Sequence, residues 1–184
     1  MILTLRYFLA ITLAITGLAL TGPAFTAERA STDRVQARID ALGTFGSNPE
    51  GGVSRPGFSA ADRAARAWVI GELEALGLEV RTDTAANIIA RRAGRDADLP
   101  AIAFGSHIDS VPNGGNYDGQ AGVVAALEVM DMLNAAEVVT RHPLELLIFV
   151  AEEDGLFGSA AMTGVLATDN LGFVTNSGRS VADG

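Results

Sequence analysis

The stretch "PLELLIFVA", residues 143–151, constrains the fold more than any other part of the chain. It is almost continuously apolar and too short for an ordinary core helix, so it suits a strand buried on both faces inside a sheet. Glu152 and Glu153 follow it directly. A second apolar run, "AIAF" (101–104), leads in the same way into the polar stretch "GSHIDSVPNGGNYDGQAGV" (105–123). Both candidate strands therefore end in residues that carry chemistry.

The segments around them alternate. "STDRVQARIDALG" (31–43) puts Val35, Ile39 and Leu42 on one helical face. "SAADRAARAWVIGELEALG" (59–77) opens with a Ser59/Asp62 capping-box pattern. It carries Ala65, Val69, Leu73 and Leu76 as an apolar stripe and stops at Gly77. "LEVRTD" and "NIIARRAG" predict two short strands. "GQAGVVAALEVMDMLNAAE" predicts a helix with Val123, Leu127 and Met130 on its buried side, and "FGSAAMTGVLA" predicts another. The order is helix, helix, strands, helix, strand, helix. It predicts an α/β fold with a mostly parallel sheet and helices on both faces.

In such sheets the ligand site lies beyond the carboxyl ends of the strands. His107 comes just after "AIAF", Glu152 and Glu153 just after "PLELLIFVA", and Asp118 lies in the loop entering the next helix. These groups converge on one crevice. Imidazole and carboxylates form an N/O ligand set that suits zinc first and also manganese or cobalt. Asp109, two residues from His107, is placed to orient the ring. Of the Glu pair, one can bind metal while its free neighbour acts as general base on water. The bland readings are a solvated loop histidine, an Asp118–Gly119 turn and surface charge at "EED". Ser106 and Ser110 lack a nucleophile elbow and are rejected as nucleophiles. His142, before Pro143, is read as structural.

Composition narrows the partners. The formal charge is −9, from 22 acidic and 13 basic residues, which argues against a phosphate-backbone partner such as nucleic acid. The absence of cysteine excludes disulfides, thiolate metal ligands and a cysteine nucleophile. At the N-terminus, Arg6, the uncharged run "YFLAITLAITGLAL" and the small-residue stretch "TGPAFTA" have the layout of a secretory signal over 1–27. Periplasmic or secreted location, with no stable membrane association after cleavage, is the expectation; a retained anchor is the alternative.

"GSHIDSVPNGGNYDGQAGVVAALEV" resembles the first metal motif of the hydantoinase/carbamoylase family amidases, in the zinc aminoacylase–exopeptidase superfamily. "FVAEEDGLFGSAAMTG" is similar to their second motif, and the likeness runs over roughly 32–184. The resemblance implies two divalent metal ions and hydrolysis of a linear amide or ureido C–N bond in a small molecule such as an N-carbamoyl amino acid. Exopeptidase or aminoacylase activity is the alternative. It implies that His107 binds one ion, Asp118 bridges two, Glu153 binds the second, Glu152 is the general base and Asp109 the partner of His107. It also implies a peptide after Asp118 that is often cis. Leu156 stands where many carbamoylases have Arg, which leaves the substrate branch open. The family's chains continue through a lid or dimerisation domain and further histidine ligands. Residues 28–184 are accordingly expected to be the N-terminal part of the catalytic domain, with apolar sheet surface left uncovered. Homodimerisation is implied only for a full-length chain. An inactive fragment with partial metal binding is the remaining alternative.

Overall fold

A computed structural model describes residues 29–184, so the expected secretory segment lies outside the described residues. Helix α1 (Thr32–Thr44) starts at Ser31, whose hydroxyl accepts from the Arg34 amide at 3.2 Å. Helix α2 (Ala60–Ala75) starts at Ser59, which accepts from the Asp62 amide at 3.1 Å. The second half of the expected capping box is replaced: the Asp62 carboxylate accepts from the Phe58 amide, one residue earlier, at 3.0 Å. Gly77, at φ +75°, closes α2. Its amide donates to Glu74 O and that of Leu78 to Leu73 O, the paired bonds of a Schellman stop.

The remaining strands and α-helices are β1 (Glu79–Thr82), β2 (Ile88–Arg92), β3 (Ile102–His107), α3 (Gln120–Ala135), β4 (Leu144–Phe149) and α4 (Phe157–Met162). The strands form one sheet in the order β1-β2-β4-β3. The α/β class holds, but the sheet is mixed rather than mostly parallel. Only β3–β4 runs parallel, whereas β1–β2 and β2–β4 are antiparallel. The reason is local for the first pair. Residues 83–87 are too short a link for a parallel crossover, which needs a dozen residues or more.

The helices are also less evenly placed than expected. One apolar cluster joins α1, α2 and α3 to sheet residues that alternate onto a single face: Ile88, Ala90, Leu144, Leu146 and Ile148, with Val80 and Phe104 at its margin. Each fully buried Leu, Ile or Val there contributes roughly 1.5–3 kcal/mol. The opposite face carries the Arg91–Glu145 ion pair (2.9 Å) beside the half-buried Leu147. On edge strand β3, Ile102 is 55% exposed. Glu128 of α3, buried, accepts from Ser31 N at 2.7 Å and from Arg34 Nε at 2.6 Å, tying α1 across α3. Among the described residues, no helix is long and apolar enough to cross a membrane.

Candidate metal centre

The parallel pair β3–β4 places its two carboxyl ends side by side, with His107 opposite Phe149. His107 is the last residue of β3 and is 7% exposed. Its Nδ1 lies 3.1 Å from Asp109 O and 3.5 Å from Asp109 Oδ1. Its Nε2 faces the crevice, 3.9 Å from Asp118 Oδ1 and 3.6 Å from Glu152 Oε2. Burial pulls the imidazole pKa down. The hydrogen bond and charge of Asp109, with the charge of Glu152, outweigh this and raise it to about 8.

Asp109 does more than hold the ring. It is buried, and its two carboxylate oxygens accept from the backbone amides of Glu152 (3.2 Å) and Glu153 (3.1 Å). One carboxylate thus fixes the histidine at the end of β3 to the turn at the end of β4. Ala151, fully buried at φ +48°, makes that turn possible in a conformation that L-residues seldom take. Burial raises the pKa of Glu153, and the Asp118 charge adds to the rise against the opposing pull of His107.

His107, Asp118 and Glu153 each offer a ligand atom, and all three atoms lie within 4.8 Å of one another. Tetrahedral zinc at about 2.0–2.2 Å from each ligand needs ligand atoms roughly 3.3–3.6 Å apart. His107 Nε2 and Asp118 Oδ1, 3.9 Å apart, need only a small closure to share one ion, and Asp118, whose side chain is 73% exposed, is free to make it. Glu152 stands outside this trio.

All the expected site residues meet at the two strand ends. The other expectations resolve individually. The described residues contain no cis peptide bond, contrary to what the resemblance suggested after Asp118. Ser110 is buried and bonds Val53 O at 3.2 Å, in keeping with its rejection as a nucleophile. His142 Nδ1 bonds Pro100 O at 2.8 Å, a structural role. Asp154 departs from the reading of "EED" as surface charge: it is 9% exposed and accepts from Gly57 N at 3.2 Å and Asn176 N at 2.7 Å.

Two supports of the site act through packing and hydrogen bonding. Gly119 sits at φ +65°, ψ −57°, and a Cβ there would lie 2.3–2.5 Å from three ring atoms of His107. Asn87, fully buried, accepts from Val150 N at 3.0 Å and donates to Gly158 O at 2.9 Å, bracing the chain on both sides of the Glu pair.

Comparison with known proteins gives a consistent set of relatives. A profile of Peptidase family M28 matches residues 87–177. An N-carbamoyl-L-amino acid amidohydrolase from Geobacillus stearothermophilus is 40% identical over 156 residues, covering 82% of this chain and 38% of that protein. One from Paenarthrobacter aurescens is 42% identical over 152 residues, covering 79% and 36%. The crystal structure of a hydantoinase/carbamoylase family amidase from Burkholderia ambifaria superposes with a TM-score of 0.79 at 34% identity, covering 84% of this chain and 39% of that one. The chain spans under two fifths of the length of each of these three relatives.

Proposed function

We propose that the chain, which is similar to hydantoinase/carbamoylase family amidases, carries the metal-ligand core of an amidohydrolase acting on the C–N bond of an N-carbamoyl amino acid or a similar small ureido or amide substrate. The observation that carries this reading is the approach of His107, Asp118 and Glu153 at adjacent strand ends, with Glu152 beside them and outside the trio.

In this reading His107 and Glu153 would each hold one of two divalent ions, zinc before manganese or cobalt, and Asp118 would supply a carboxylate available to both. Such ions, when bound, supply Lewis acidity toward the substrate carbonyl and make water acidic enough to attack near neutral pH. The chain's own residues do the rest. Asp109 keeps Nδ1 of His107 engaged, so Nε2 is the nitrogen offered to the ion. Glu152 takes the proton of the attacking water and returns it to the leaving nitrogen as one C–N bond breaks; the carbamic acid left behind then loses carbon dioxide, so an N-carbamoyl amino acid and one water give the amino acid, ammonia and carbon dioxide. Residues 28–184 serve as the N-terminal part of the catalytic domain. Residues 1–27 direct the protein to the periplasm or outside, and the full-length protein pairs as a homodimer.

The test is Glu152→Gln. The variant should keep its metal content and lose about 10²–10⁴-fold in hydrolysis of N-carbamoyl amino acids. Undiminished activity would remove Glu152 from the role of base. The match to a peptidase family favours one second reading, peptide-bond hydrolysis. A dipeptide turned over faster than any N-carbamoyl amino acid would select it.

A further inference from the structure

The loop between α1 and α2 buries one arginine completely. Arg55 is 1% exposed, and every acceptor of its guanidinium is a carbonyl or amide oxygen. Nε donates to Ile108 O at 2.6 Å, Nη1 to Leu42 O and Phe45 O at 2.7 Å each, and Nη2 to Gln120 Oε1 at 2.5 Å. The backbone adds a reciprocal pair: Arg55 N donates to Ser110 Oγ at 3.0 Å, and Ser110 N donates to Arg55 O at 2.9 Å. Burial lowers the guanidinium pKa, which the charges of Asp62 and Asp109 oppose.

These partners come from three separate parts of the chain, and two of them adjoin candidate metal ligands. Ile108 lies between His107 and Asp109, and Gln120 lies two residues after Asp118. Gln120 is itself buried, and its Nε2 donates onward to Asn116 Oδ1 at 2.6 Å and to Asn116 O. A core that needed only volume here would be served by Leu or Met without desolvating a cation. What a guanidinium adds is a rigid planar fork whose donors point in fixed directions. That fork spans the gap between the His107 segment and the start of α3.

We infer that Arg55 is a positioning residue, which sets the His107–Ser110 segment against the Asp118–Gln120 segment before any metal ion arrives. The inference rests on the metal reading of those ligands. Arg55 touches neither ion nor substrate; it acts through Ile108 and Gln120.

The test compares Arg55→Lys and Gln120→Ala with the unmodified chain. Amide hydrogen exchange is measured with chelator present, and zinc binding by calorimetry. Arg55→Lys keeps the charge but loses the fork. Residues 107–110 and 117–122 should lose protection while α2 and β2 keep theirs, and zinc affinity should fall about 10- to 100-fold. Gln120→Ala cuts one arm only, so it should loosen 117–122 and spare 107–110. It also keeps the test decisive if Arg55→Lys does not fold. Unchanged exchange at both segments, or protection lost evenly along the whole chain in either variant, overturns the inference and leaves Arg55 a core filler. An unmodified chain that takes up no zinc refutes the metal reading alone, because the exchange pattern decides the placing role without it.

Discussion

Gly119→Ala should damage the metal site through a steric conflict with His107 whose size follows from the structure. The added Cβ would meet three ring atoms at 2.3–2.5 Å, where ordinary contact begins at 3.4 Å, so ring or backbone must move by about 1 Å. The ring has little freedom, being 7% exposed with Nδ1 held by Asp109. Overpacking of this kind costs about 1–3 kcal/mol. The backbone adds to it. Gly119 combines φ +65° with ψ −57°, outside the small left-handed region open to L-residues, so the cost is at least the roughly 1–2 kcal/mol of a left-handed residue. Together they destabilise the metal-free fold by about 2–5 kcal/mol, a fall in Tm of ~4–20 °C for a domain of this size. Displacing Nε2 from Asp118 and Glu153 should also weaken zinc binding about 10- to 100-fold.

Thermal melts in chelator and zinc calorimetry read both effects, and two controls isolate the cause. Gly115→Ala, in open space, should stay within about 0.5 kcal/mol of the unmodified chain. In a His107→Ala background the steric part should vanish, leaving only the roughly 1–2 kcal/mol backbone cost of Gly119→Ala. An equal cost in both backgrounds, or a Gly119→Ala protein that melts like Gly115→Ala, refutes the steric reasoning.

Two groups, His107 and Asp62, give pH dependences. A proton on His107, whose pKa is raised to about 8, competes with an ion, so zinc affinity should climb about tenfold per unit up to pH 8 and then level off; calorimetry across pH 6–9 checks this. The same raised value stabilises the metal-free fold by at most about 2 kcal/mol, fully present below pH ~6.5 and lost as pH rises through 8, which melts in chelator would detect. Asp62, 2% exposed, has its pKa pushed up to about 6 by burial, with the Asp109 charge adding and the charges of Arg66 and Arg55 and the Phe58 amide opposing. Its contribution is present below pH ~4 and lost as pH rises through 6, so Asp62→Asn should be more stable than the unmodified chain at pH 8 by up to ~3 kcal/mol and match it near pH 4, read by denaturant melts.

Much of this organisation is legible in the residues themselves. The apolar runs ending at His107 and at Glu152–Glu153 mark strands β3 and β4, because continuous hydrophobicity over so short a length has few other uses. Their parallel pairing brings the ligands together as the strand-end rule requires. The helix stripes of α1, α2 and α3 point at the observed core, since periodicity is a local property. Strand direction is not local in the same way. The antiparallel β2–β4 pair depends on contacts between residues more than 50 apart, although the short 83–87 link did carry the signal for β1–β2. The supports of the site were harder still. Arg55 lies in "GGVSRPGF", whose composition marks a loop, and nothing in that composition announces a buried cation. Gly119 looks like an ordinary turn glycine until the ring of His107 is seen against it. Asp154 looks like surface charge until Gly57 and Asn176 close over it.

The most direct measurement is zinc titration by calorimetry at pH 8 of the unmodified chain beside its His107→Ala and Glu153→Gln variants. Saturable binding at a whole-number stoichiometry, lost in His107→Ala and reduced in Glu153→Gln, is the predicted result. No binding by the unmodified chain, or binding that survives both substitutions unchanged, would contradict a metal centre built from the ends of β3 and β4.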